Sequence, residues 1–179
     1  EGQDLYHLGL GTSGAVTVTL SFYVRSSITG THGGAIRNHD SNTRNFPFTY
    51  TISSANTWER KSITLTLDTS GTWPSDNTLG LQLQFGLGVG TDFSGTADTW
   101  ADGDKNSATG ATTAMLSTSS ATWYVTGIQL EVGSIMTPFE HLSFAEYKRK
   151  CLRYYYRYRK TIAYGMFVTI RTWSATNGD

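Results

Sequence analysis

Glu131, Glu140, His141 and Cys151 stand close together in the sequence, and each is of a residue type that enzymes use. Two carboxylates could act as the acid and base of glycoside cleavage. A thiol near a histidine could act as a nucleophile with its base. The surroundings argue against both. There is no Gly-x-Ser-x-Gly elbow, and His141 is the one histidine near Cys151 in sequence. Gly133 and Pro138 lie between the carboxylates and suit a turn and an extended linker. Glu131 is expected to cap backbone donors in that linker or to pair with the arginine-rich segment behind it. Cys151, beside Leu152, reads as a small buried apolar residue. It is the only cysteine, so no intrachain disulfide can form. The chain is expected to be non-catalytic.

Other chemistry-bearing residues are scattered. His7, His32, His39 and His141 show no metal-ligand spacing and read as solvent-facing or turn residues. Asp102-Gly103-Asp104-Lys105-Asn106 has the oxygen spacing of a calcium loop, but the twelfth position is Thr113, where an EF-hand needs glutamate. Asp102, Asp104 and Asn106 are thus Ca2+ candidates against the plainer reading of a solvated acidic turn, and no other cofactor is implied. Gly9-Leu10-Gly11-Thr12-Ser13-Gly14 matches the dinucleotide fingerprint letter by letter. That motif needs a helix after it, and a strand pattern follows instead, so the match is discarded. Trp73 and Trp100 lie in loops, where an aromatic face beside a few polar groups can hold a sugar ring. The competing reading is that both fold back as loop anchors.

The composition says what must position these groups. Of 179 residues, 38% are hydrophobic and 16% charged, while Gly, Ser and Thr are abundant, which suits short strands and tight turns rather than a helical bundle. Ala15 to Ser26 alternates strictly, with Val16, Val18, Leu20, Phe22 and Val24 on one face. Asn45 to Ser53 carries Phe46, Phe48, Tyr50 and Ile52 on one face, and Pro47 marks an edge strand or a strand start. Trp58 to Asp68 sets Ile63, Leu65 and Leu67 opposite Ser62, Thr64 and Thr66. Leu79 to Val89 has its apolar side chains on one parity and reads as a central strand, each worth roughly 1.5–3 kcal/mol when buried. Ala35 to Asn38 is a shorter candidate. Trp123 to Val132 alternates throughout, with Trp123, Val125, Gly127 and Gln129 on one face and Tyr124, Thr126, Ile128, Leu130 and Val132 on the other. Trp58 and Trp123 are expected in the core. Gly90 to Ser120 is a long polar loop of the kind that holds ligand sites or subunit contacts, with a short strand expected at Ala111 to Leu116. The pattern predicts a mainly β fold, an antiparallel β-sandwich of jelly-roll or carbohydrate-binding-module type, over residues 1–133.

Residues 134–142 read as a linker. Ser143-Phe144-Ala145-Glu146 is a capping box, and Phe144, Tyr147 and Cys151 share a helical face, which predicts a short helix from Phe144 to about Cys151. Beyond Leu152, Tyr154 and Tyr158 would extend the helical stripe, whereas Tyr154, Tyr156 and Tyr158 alternate as in a strand. The strand reading is preferred, so residues 143–179 are expected to be a short helix and a strand leading into a further module of a longer protein. Charge divides at the same place. Residues 1–140 hold 6 Lys/Arg and 12 Asp/Glu, and residues 141–179 hold 8 and 2. A basic tail can meet nucleic acid, but these basic residues are mixed with tyrosines that can pack, so pairing with the acidic body, with a neighbouring subunit or with solvent is preferred and no nucleic-acid partner is expected. No apolar run reaches the roughly 18 residues of a membrane span, so membrane insertion is not expected.

Val125-Thr126-Gly127-Ile128-Gln129-Leu130-Glu131-Val132-Gly133, Thr137-Pro138-Phe139-Glu140 and Cys151-Leu152-Arg153-Tyr154-Tyr155 together resemble a segment of tail-fibre proteins from marine and cyanobacterial phages. Glu1 to Leu5, Thr19 to Val24 and Asn56 to Glu59 also resemble blocks of that family, so the likeness spans nearly the whole chain. Met136, Leu142 and Leu152 depart from its usual residues. The resemblance implies a jelly-roll module of a virion fibre, extracellular when it acts, with a non-catalytic role in host attachment. It also implies a homo-oligomer, expected to be a trimer, with other tail proteins and a host surface glycan as partners. Phe144, Tyr147, Tyr154, Tyr155, Tyr156 and Tyr158 are the subunit or module interface candidates, since aromatic side chains are enriched at interfaces. The alternative is a carbohydrate-binding module, free-standing or within a secreted enzyme, that uses Trp73 and Trp100.

Overall fold

A computed structural model describes residues 1–38, 43–113, 115–153 and 155. In chain order its strands are β1 (Thr17–Ser26), β2 (Gly30–Arg37), β3 (Arg44–Ile52), β4 (Glu59–Thr66), β5 (Gln82–Gly86), β6 (Ser94–Gly95), β7 (Ala101–Asp102), β8 (Ser107–Ala108) and β9 (Trp123–Val132). Among the described residues one α-helix, α1, spans Phe144–Leu152. The strands form a three-stranded sheet, ordered β4-β1-β9, and a four-stranded sheet, ordered β5-β2-β3-β7. All pairs in these two sheets are antiparallel. The fold is an antiparallel β-sandwich, as the alternation predicts.

The core lies between the sheets. Val18, Leu20, Phe22 and Val24 of β1 meet Phe46, Phe48, Tyr50 and Ile52 of β3, and all are buried. Phe22 stands edge-on to Tyr50 at 5.2 Å and to Phe85 at 5.1 Å, a favourable aromatic geometry. On β3 the carbonyl of Pro47 accepts the Asp98 N–H, so its proline nitrogen also faces away from β2. The imino group therefore costs no ladder bond, because β7 pairs only with Arg44 and Asn45 farther along.

Several expectations need correction. The Ala35–Asn38 candidate is part of an eight-residue strand, β2, that sits inside its sheet. Its core-facing positions include Gly34, where an added Cβ would come within 2.6 Å of the Phe48 ring and 2.4 Å of the Gln84 carbonyl. Small residues make room for β3's aromatics, so β2 shows no apolar alternation. Leu79–Val89 is not a central strand: β5 spans five residues and pairs with β2 alone among the described residues. Trp58 precedes β4 and is exposed, whereas Trp123 packs against the core and donates its indole N–H to Tyr50 Oη at 3.1 Å. His32 is wholly buried rather than solvent-facing, stacked on Tyr50 at 5.6 Å, with Nε2 beside the Ile28 carbonyl.

Irregular chain crosses part of each outer face. The 90–120 loop lies over the four-stranded sheet. Its Ser107, Ala108 and Met115 are buried, and a Cβ on Gly33 would strike Ser107 Oγ. Of the strand expected at Ala111 to Leu116, the described residues 111–113 and 115–116 are not in a strand, and Met115–Ser117 is a 3-10 turn. Over the three-stranded sheet runs the 133–140 segment, which explains why Thr19 and Ser21 on the outer face of β1 are buried.

The chain divides into two compact units, Glu1–Glu140 and His141–Asp179. Residues 134–140, expected as linker, fall in the first. Within the second, α1 begins as predicted: Ser143 Oγ accepts the Glu146 N–H, and Glu146 Oε2 accepts the Ser143 N–H at 3.0 Å. Arg149 and Lys150 in the last turn complement the helix dipole.

Candidate functional site

Three features of the first unit could carry function: a strap, an open sheet edge and an aromatic hollow. The strap is built from the Gln-Leu-Glu and Thr-Pro-Phe-Glu stretches. Glu131 Oε1 accepts the Thr137 N–H at 2.6 Å, and Oε2 accepts the Thr137 hydroxyl at 2.6 Å and Gln129 Nε2 at 2.9 Å. Gln129 Oε1 accepts the Glu140 N–H at 2.8 Å. Arg60 of β4 donates to the Thr137 carbonyl, and its guanidinium lies over the Tyr23 ring. Nearer the turn, Thr19 Oγ1 donates to the Gly133 carbonyl at 2.7 Å. The Thr137 hydroxyl, the Thr137 N–H, Gln129 and the charge of Arg60 hold the Glu131 carboxyl below the usual glutamate range. A carboxylate so held is a clamp for backbone donors, and it is a poor proton donor at neutral pH.

The strap depends on a bulge. Val132 to Gln129 pairs with Val18 to Ser21, and Thr126 to Trp123 pairs with Tyr23 to Ser26, with a register shift between. Gly127 sits at that shift with φ of 57°, a left-handed conformation that glycine adopts without a Cβ penalty. The extra residue reverses the parity of β9. Trp123 and Val125 face the core on one side of the bulge, opposite Ser26 and Val24. On the other side Leu130 and Val132 lie opposite Leu20 and Val18, so Gln129 and Glu131 turn outward to the strap. Uniform alternation along β9 is therefore corrected: one face does not run from Tyr124 to Val132.

The core-side residues beyond the bulge are not fully covered. Ile128, Leu130 and Val132 are 45%, 36% and 61% exposed. Among the described residues β9 pairs with β1 alone and β5 with β2 alone. Between these two edges the sandwich opens as an apolar cleft of about 180 Å3, lined by Leu20, Ile36, Leu81, Leu83, Ile128 and Leu130.

Trp73 and Trp100 come together, edge to face at 5.7 Å. Trp100 donates its indole N–H to the Thr66 carbonyl at 2.8 Å and packs on Phe46, so it is a loop anchor. Trp73 donates to the Ser70 carbonyl at 3.1 Å, and its ring borders a hollow of about 450 Å3 shared with Tyr6. Tyr6 escaped the sequence reading, although an aromatic residue in a glycine-rich, strandless segment was a signal for it.

The calcium candidates face arginines. Arg44 Nη1 donates to Asp102 Oδ1 at 2.9 Å, while its other nitrogens bind the buried Asp68. Arg37 donates to Asp104 and to Asn106 Oδ1. No cluster of three metal-ligating acidic, histidine or cysteine side chains occurs among the described residues. In the second unit Phe144, Tyr147 and Tyr155 are exposed, while Tyr154, Tyr156 and Tyr158 lie outside the described residues, as does His39. Cys151 is exposed on α1, which corrects its expected burial. A scan against protein-family models, a search of curated proteins and a search of solved structures each returned no match.

Proposed function

We propose that the chain is a non-catalytic structural module of a phage tail fibre that contributes to host attachment and works as a homo-oligomer, with a trimer as the expected form. The observation that carries this reading is the open apolar edge formed by Ile128, Leu130 and Val132 over the cleft between the sheets. An unpaired strand with apolar side chains is a template for another chain, and proteins that stay monomeric blunt such edges with charge or proline. Here the edge is left apolar, as a subunit contact requires. The strap gives the fibre-like Gln-Leu-Glu and Thr-Pro-Phe-Glu residues a mechanical role of the kind a scaffold needs. Virion localisation and tail-protein partners rest on the resemblance alone. Immunogold electron microscopy with an antibody to this chain tests the assignment. Labelled tail fibres are the expected result, and label confined to heads or absent from particles contradicts it.

A second reading, a carbohydrate-binding module, is favoured by the hollow beside Trp73. The two are compatible, because a fibre module can be scaffold and sugar reader at once.

A further inference from the structure

We propose that the hollow between Tyr6 and Trp73 is a binding site for a neutral saccharide, which rests on the second reading and names its site and ligand class. The hollow lies where the first two 3-10 turns, Gly2–Asp4 and Tyr6–Leu8, meet the 73–75 loop. Its floor is fixed before any ligand arrives. The Gly2 N–H donates to the Thr78 carbonyl at 3.0 Å, the Gln3 N–H to the Asp76 carbonyl at 2.8 Å, and the Gly11 N–H to the Asp68 carbonyl at 2.8 Å. A Cβ on Gly2 would fall 2.2 Å from the Pro74 carbonyl, and one on Gly11 would fall 3.1 Å from Trp73 Cδ1. The two loops are therefore in direct contact. Trp73 is held further by its bond to Ser70 and by Trp100 set edge-on against it. A ring fixed in this way loses little freedom on binding, which lowers the entropic cost of association.

The lining selects the ligand class. Tyr6, 81% exposed, and Trp73 supply aromatic walls, Leu10 and Pro74 supply apolar surface, and Thr12 and Ser75 supply hydroxyl groups. Among the described residues the lining carries no charged side chain. An anionic or cationic ligand would find no counter-charge there and would lose hydration without return. The Thr12 hydroxyl is engaged by the Gly9 carbonyl and the Gly14 N–H, so it is the Ser75 hydroxyl that a purely apolar ligand would strip of water without replacing it. A neutral sugar ring matches both parts, with a C–H face for the aromatics and hydroxyls for the rim. A volume of about 450 Å3 accommodates a short saccharide rather than a long chain.

The test uses the full chain on an array of neutral oligosaccharides (gluco-, galacto- and manno-configured) and acidic ones (sialylated and uronic), with affinities then measured by calorimetry. Two variants accompany it. Tyr6→Ala removes an exposed ring and is expected to leave the melting temperature unchanged. Trp73→Phe keeps an aromatic ring against Gly11. The expected result is binding to a neutral oligosaccharide, weakened roughly tenfold or more by Tyr6→Ala and also by Trp73→Phe. Neutral sugar binding that both variants retain in full would overturn this site while leaving the carbohydrate-binding reading in place. Binding of acidic sugars alone would overturn the ligand class. No binding by the folded wild-type chain would overturn both the site and that reading, leaving the scaffold role untouched.

Discussion

Glu131 binds three donors with one carboxylate, and the state of the strap follows from its charge. Its folded pKa is depressed by Thr137, Gln129 and Arg60. The clamp is therefore fully formed above the ordinary glutamate pKa of about 4.3 and is lost as pH falls through the lower folded value. In Glu131→Ala the Thr137 amide is expected to exchange faster at neutral pH while the strands keep their protection. Hydrogen exchange read by NMR decides this, and an equally slow Thr137 amide in the variant contradicts the clamp. His32 acts in the same direction, in a higher pH window. Burial lowers its pKa, with partial compensation from the Ile28 carbonyl. The unfolded chain thus takes up a proton near pH 6.5 that the folded chain refuses, so stability falls as pH drops from about 6.5 toward the folded value. Thermal melts at pH 7.5 and 5.5 should show that fall, and His32→Phe should flatten it. An unchanged slope in the variant would place its origin elsewhere.

Among the elements, the ones legible in sequence are those whose side chains alternate in size as well as polarity. β1, β3, β4 and β9 announce themselves by valine, leucine, phenylalanine and isoleucine on one parity. β2 does not, because Gly34 is there to receive Phe48, and a strand read by its bulk disappears when its task is to be thin. Gly34→Ala should therefore cost about 2–3 kcal/mol in chemical denaturation, since both the Phe48 ring and the Gln84 carbonyl would have to move. A loss below a few tenths of a kcal/mol would show that the sheet has slack there. β9 was legible as a strand but not in its facing, because one left-handed glycine reverses its parity. Gly127→Ala should cost about 1–2 kcal/mol by the same assay, from the positive φ and a Cβ 3.0 Å from Tyr23 Cδ2. The strap was half legible. A backbone-capping role for Glu131 could be read beside Pro138, but the outward turn of Gln129 and Glu131 depends on the bulge. Trp73 and Trp100 could be singled out as loop aromatics, but their contact, and the place of Tyr6 beside Trp73, arise only when distant loops meet.

On the scale of the whole molecule, the first unit is a sandwich with irregular chain over part of each outer face and one apolar seam left open. The strap protects the outer face of β1, and the 90–120 loop protects the four-stranded sheet. Ile128, Leu130 and Val132 have no such cover among the described residues. If a second copy covers them, a charge placed there should be tolerated by the folded monomer, since these positions are partly solvated already, but not by the assembly. Sedimentation equilibrium on the purified full chain and on Leu130→Lys is the direct measurement. The wild-type chain is expected to run at three times the 19.7 kDa chain mass, and the variant at the mass of one folded chain. A wild-type chain that remains a 19.7 kDa monomer at high concentration would contradict the fibre-module account at its centre.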